Sequence, residues 1–378
     1  MKRILCLPVV FFTLLHLFPQ GTDIEYERIR IADAKNIICG LDLSPDQTML
    51  AISSVQSYPF YIFDWRKREK VKEYDVGNWY AGSSVHYSSN GKYILLNQLY
   101  YVDFAPNKDR EVNFEVIDAK TGKNVKRFEN FHDVKITPDE KYALTLTGDE
   151  IGFYNLSTGK YDKSFSVPEA TNSLAISPGG KLIAVSHKLY EKDAKGYSLL
   201  KRDKKTMKNA LKFKQEITIF DAGTFKKLYT VHELYDIVYK LTFSADGKHL
   251  FVLSIPHQKL QNTQGKRQSY INVVDMETGK PMRKGFVSRS VYEPDFKLSH
   301  DGKLLGIVSS NDRFLELHIY DFATGKMAYR FQQAFRIIER SEGEYIAVDP
   351  RSSFVFLPDN KSTFMTVGNR LIKWDFAK

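Results

Sequence analysis

One phrase returns seven times along the chain, and it restricts the fold more than any other feature. A short alternating apolar stretch runs into a four-residue turn, and a second apolar stretch follows at once. The turns are Ser44-Pro45-Asp46-Gln47, Ser88-Ser89-Asn90-Gly91, Thr137-Pro138-Asp139-Glu140, Ser177-Pro178-Gly179-Gly180, Ser244-Ala245-Asp246-Gly247, Ser299-His300-Asp301-Gly302 and the weaker Leu357-Pro358-Asp359-Asn360. Pairs such as Leu41/Leu43, Val134/Ile136 and Leu241/Phe243 precede them. Period-two alternation marks a strand with one face packed inward, and the turn chemistry joins it to an antiparallel partner.

A third strand follows each pair and ends in Asp or Asn: "FYIFD" at Asp64, "FEVID" at Asp118, "IGFYN" at Asn155, "ITIFD" at Asp221, "INVVD" at Asp275, "LHIYD" at Asp321 and "LIKWD" at Asp375. Turns such as Thr121-Gly122-Lys123 and Thr324-Gly325-Lys326 then lead into a fourth strand. Each unit is therefore four antiparallel strands, repeated seven times, which predicts an all-β, seven-bladed β-propeller. The last unit has only three strands before the chain ends. The segment "IEYERIRI", residues 24–31, is expected to complete it and close the ring. A closed ring needs no second copy, so a monomeric fold is expected.

With these motifs in place, the chain resembles the WD40-like and YVTN-type seven-bladed propellers, including the quinoprotein amine dehydrogenase-like group, over about residues 24–378. Trp374-Asp375 and Phe220-Asp221 occupy the place of the Trp-Asp signature, and the Ser-x-Asp-Gly and Thr-Gly-Lys turns are similar to those of bacterial exported propellers. In such propellers the connection between second and third strands shares a face with the blade-to-blade links.

The N-terminus reads "MKRILCLPVVFFTLLHLFPQGTD": a basic start, a short apolar run, then polar sequence. This is the shape of a secretory signal peptide, so residues 1–21 are expected to be a leader, residues 22–378 the propeller, and the compartment periplasmic or extracellular. Loss of the leader removes Cys6 and leaves Cys39 alone, so the core must hold the fold without an intrachain disulfide. Cys39, in the apolar run "NIICGLDL", reads as a buried inert thiol.

Where the copies differ, function is expected. The interval from turn to third-strand ending is 18 residues in the third unit and 44 in the fourth. The fourth insertion, residues 188–214, carries ten Lys or Arg against three acids. Lys201, Arg202, Lys204, Lys205 and Lys208 are its densest part, and Lys266 and Arg267 lie in a second insertion in the fifth unit. Such a patch attracts a protein, peptide or glycan of acidic character, or an anionic membrane surface; the plainer reading is a solvated loop. Export and the lack of a recognised binding module argue against nucleic acid. If residues 199–214 were helical, Leu200, Met207 and Leu211 would form an apolar stripe. Trp79 and Tyr80, in a blade-to-blade link, and Phe335 and Arg336, in a long link placed at residues 331–353, would add aromatic and basic contacts on the same face.

The chain has no Gly-x-Ser-x-Gly elbow, His-Glu-x-x-His pair, phosphate-binding glycine loop or Cys-x-x-Cys pair, and its nine His are scattered. No catalytic residue, cofactor or metal is assigned. The strand-ending acids read as turn caps. The expected function is an exported, non-catalytic binding scaffold. The alternative is a propeller-type enzyme, lactonase- or dehydrogenase-like, with its site at the central channel. Convergent Asp, Glu or His side chains at the channel would favour the alternative.

Overall fold

The computed structural model describes residues 25–33, 37–54, 59–75, 83–98, 112–255, 268–282, 285–288, 294–310, 314–334, 338–339, 345–346 and 352–378. The expected leader and the predicted contacts Trp79, Tyr80, Lys266, Arg267, Phe335 and Arg336 lie outside the described residues.

Seven antiparallel sheets follow one another along the chain as seven blades. Their innermost strands are Ile38–Leu43, Ser83–Tyr87, Asp133–Ile136, Ala170–Ile176, Ile237–Phe243, Asp295–Leu298 and Phe354–Phe356, for blades 1 to 7. Blade 7 is completed from the other end of the chain: Tyr26–Arg30 pairs with Arg370–Asp375, with Tyr26 opposite Trp374 and Arg30 opposite Arg370. This is the closure predicted from the three-stranded last unit.

The repeated turn is the same structure in every copy. Its fourth residue has positive φ, between 52° at Asn360 and 77° at Gly91, a region that favours glycine. In the six copies that begin with Ser or Thr, the hydroxyl oxygen accepts the backbone N–H five residues on, at 2.8 to 3.0 Å. The Asp at the third position accepts the N–H two residues on, as Asp46 does from Thr48 and Asp359 from Lys361. The strand-ending acids cap the next turn: Asp221 accepts from Gly223 and Thr224, and Asp275 from Thr278. These bonds satisfy backbone donors that the strands leave behind.

The core lies between blades. Seven clusters of buried apolar side chains fill the seven seams, one for each neighbouring pair. The closing seam packs Leu41, Leu50 and Tyr61 of blade 1 against Val355, Phe364 and Leu371 of blade 7. Trp374 packs across the seam to blade 6, 5.4 Å from Phe331 between ring centres. Cys39 is buried, its thiol donating to the Ser83 carbonyl.

Two expectations are corrected. The link between blades 6 and 7 begins later than residue 331: Phe331 is fully buried within the strand Met327–Ala334, and the link itself carries a small hairpin, Ile338–Glu339 with Tyr345–Ile346. The insertion of blade 4 is not a loop but a folded helical unit.

Candidate functional site

In an antiparallel blade the link from second to third strand emerges opposite the repeated turns, beside the blade-to-blade links. The blade 4 insertion occupies this face. It folds into α1 (Glu191–Ala194), α2 (Ser198–Lys201) and α3 (Lys204–Phe213). Asp203 caps α3, its carboxylate accepting the N–H of Lys205 and of Thr206 at 3.0 Å each. The cap breaks the helix at Arg202-Asp203, so residues 199–214 are not one helix, yet the predicted stripe of Leu200, Met207 and Leu211 still meets on one side, with Leu200 buried and Leu199 75% exposed. Leu200, Ala194, Ala210 and Leu189 form a small core of their own, with Met207, Leu211, Tyr197 and Leu234 packed around it.

Three contacts fasten this unit to the blades. Tyr190 accepts the backbone N–H of Glu169, in the link from blade 3, at 2.8 Å. Lys214 pairs with Asp236, in the link to blade 5. Tyr197 donates its hydroxyl to Glu216, at the start of the blade 4 strand Gln215–Asp221, at 3.1 Å.

Apolar packing on one side leaves the lysines on the other. Lys204, Lys208 and Lys212 recur every four residues along α3. They and Lys201, Arg202 and Lys205 are exposed, and none makes an ion pair among the described residues. The structure thus brings five predicted contacts, Lys201, Arg202, Lys204, Lys205 and Lys208, onto one folded unit.

Sequence reasoning raised the axis of the ring only as an alternative site and named no residue there. A cavity of about 80 Å³ there is lined by residues from all seven blades, among them His86, Asp133, Lys135, Asn172, Lys240 and Asp295. Its acids, Asp133 and Asp295, and Asp42 on the first strand of blade 1, are each tied to the neighbouring blade. Asp42 accepts the Tyr87 N–H at 2.8 Å, Asp133 the Leu174 N–H at 2.9 Å, and Asp295 the Ser353 hydroxyl at 2.6 Å. Lysines neutralise them: Lys135 lies 2.6 Å from Asp133, and Lys240 lies 3.7 Å from Asp295. Lys297 bridges Asp295 and Asp42 at 3.4 and 3.8 Å and donates to the Leu41 carbonyl at 2.6 Å, passing blade 7 to join blades 6 and 1.

Burial opposes the Asp295 charge, but Lys297 and Lys240 outweigh it and hold the carboxyl below its ordinary value. For Asp42 burial wins over Lys297 and the carboxyl is raised. Burial, followed by the repulsion of Lys240, Lys297 and Lys135, drives His86 well below the usual imidazole range, so it is neutral at physiological pH. Among the described residues no three His, Cys, Asp or Glu side chains are placed to hold a metal ion, and no helix is long and apolar enough to cross a membrane. The sequence signal for the axis was present but faint: Asp42, Lys135, Lys240, Asp295 and Lys297 are charged residues within otherwise apolar first strands.

No protein-family model matches the chain, and no curated protein matches it in sequence. Among solved structures, one titled Kuenenia stuttgartiensis Hydrazine Synthase is similar, with a TM-score of 0.59 and 14% identity over 95% of this chain and 99% of that chain. At that identity the likeness is one of fold.

Proposed function

We propose that this chain is an exported, non-catalytic propeller of the WD40-like kind that binds a partner of acidic character, an acidic polypeptide or glycan, through the helical unit of blade 4. The observation that carries this reading is the exposed, unpaired row of basic side chains on a folded amphipathic unit that the blade itself does not require. A solvated loop needs no apolar core and no cap; this unit has both. Unpaired lysines on an ordered scaffold attract anions without first having to be freed from local acids.

The polar cavity on the axis favours a second reading, an enzyme acting there. Against it, Asp42, Asp133 and Asp295 are each committed to a donor of the next blade, and His86 is a weakened base. These features support a channel whose charges hold blades together.

The test is retention on immobilised polyglutamate and on heparin, beside flotation with phosphatidylglycerol vesicles. The native protein should be retained on one or both columns at low salt and released as salt rises. Replacing Lys201, Arg202, Lys204, Lys205 and Lys208 together by Glu should abolish retention. Retention that survives the five changes, or that ignores salt, overturns the proposal; binding to vesicles alone moves the partner to a lipid surface.

A further inference from the structure

The contact between the helical unit and its blade contains a group that ought not to be there. Glu216 is fully buried, and one of its carboxyl oxygens, Oε1, has no hydrogen-bond partner. The other accepts only from the Tyr197 hydroxyl, which belongs to the helical unit. His187 approaches Oε1 to 4.0 Å but gives it no proton. Its Nδ1 lies 2.9 Å from the Lys188 carbonyl, to which only an N–H can donate, and its Nε2 lies 2.7 Å from the Thr218 hydroxyl. The Asp193 carboxyl of α1 faces Glu216 from the helical side. An ionised Glu216 therefore has one donor and a carboxylate neighbour, in a site closed to water.

We propose that the buried Glu216 carboxyl is a pH-dependent latch, fastening the helical unit to blade 4 while it holds its proton and loosening it when that proton is lost. The consequence for partner binding rests on the function proposed above; the latch itself does not.

Burial and then Asp193 push the Glu216 carboxyl up from 4.5 to about 7. Its other charged neighbours are Lys227, on the strand Lys227–Thr230 of the same blade, which works in the opposite direction, and Glu233, which faces Tyr197. Burial pushes the Tyr197 phenol up as well, so it stays a donor throughout. An acid with a raised value in the docked state weakens docking as pH rises from 4.5 to about 7, and the effect is level beyond. His187 has the opposite sign: burial lowers it from 6.5, so docking gains slightly as pH rises toward 6.5. Lys192 on α1 reinforces that lowering.

The measurement is hydrogen exchange of the intact protein, corrected for intrinsic rates, comparing residues 190–213 with residues 142–155 of blade 3 as an internal standard. Between about pH 5 and about pH 7.5 the opening equilibrium of the helical unit should rise on the order of a hundredfold and then level off. Glu216→Gln should remove this rise and leave only the small opposite trend of His187. A flat native profile, or an equal rise in E216Q, overturns the latch. Should E216Q lose the blade 3 protection as well, Tyr197→Phe decides: without the phenol the rise should move to higher pH, and an unmoved rise overturns the proposal. Heparin retention at fixed salt separates this idea from the function. A pH-dependent opening without retention leaves the latch and removes the function; retention with the same pH dependence in E216Q and native protein leaves the function and removes the latch.

Discussion

The two faces of the ring are built on different principles. On the turn face, seven copies of one four-residue device repeat with the same positive φ, six of them with the same hydroxyl bond. On the opposite face the connections range from a direct two-residue return after Thr147 to the helical unit of blade 4. A tight turn sets the register of the first two strands, so its chemistry is fixed by geometry. The opposite connection has only to bring the chain back, and its closure cost grows slowly with length. Variation accumulates on the face where it costs least, and binding surface is found there.

The largest way to break this comparison is to attack what both faces share, the seams. Trp374 is buried between blades 6 and 7 against Phe331 and Phe376, on the strand that receives the N-terminal segment. Trp374→Ala should cost about 3–5 kcal/mol through lost burial and the cavity left behind. A denaturant midpoint that moves by less than a third of that would show that closure does not depend on this seam.

Glu140 sharpens the turn side. It sits at the positive-φ position where glycine is favoured, yet its carboxylate reaches the preceding blade's turn and accepts the N–H of Asn90 at 2.8 Å. Glu140→Gly relieves about 0.5–1 kcal/mol of backbone strain but loses a charge-assisted bond of about 1.5–3 kcal/mol. A net loss of about 1–2 kcal/mol is expected in chemical denaturation; a gain would show that the bond between turns contributes nothing.

Removing the helical unit tests the other side. Replacing residues 189–214 by a short turn uncovers Glu216 and deletes a satellite core, while leaving all seven seam clusters intact. The global unfolding free energy should change by less than about 1 kcal/mol. Loss of blade 4 strands from the folded state would make the unit part of the blade's packing rather than an addition to it.

The fold was legible because its signals are local. Alternation, the Ser/Thr-x-Asp-Gly turn and the strand-ending acids all act within a few residues, and the three-stranded last unit left only residues 24–31 to close the ring. The basic residues of blade 4 were legible as charge, and Leu200, Met207 and Leu211 as an apolar stripe, but the cap at Asp203 and the packing of that stripe against Leu234, beyond the insertion, were not. Glu216 was not legible, and the axial charges only faintly, as charged residues within apolar first strands. A charged residue in a strand reads as solvent-facing; only the ring brings Lys297 beside Asp42, and only the folding of the insertion brings α1 near Glu216.

Gln47 gives the smallest and cleanest test of the turn face. It holds the same position as Glu140, with φ of 61°, but its side chain makes no bond to a neighbouring blade's turn among those described; its backbone carbonyl accepts from the Trp65 indole at 3.0 Å. That bond survives any change of side chain. Asn360, the third non-glycine at this position, behaves as Glu140 does, its amide oxygen accepting the His300 N–H of the preceding blade at 2.9 Å. Gln47 is therefore a copy in which the strain is uncompensated. Gln47→Gly should raise stability by about 0.5 kcal/mol, the left-handed penalty removed less the added freedom of glycine in the unfolded chain. Measured beside Glu140→Gly, the two should differ in sign. Equal destabilisation in both would mean that positive φ at these turns carries no strain, and that the repeated glycines serve close packing instead.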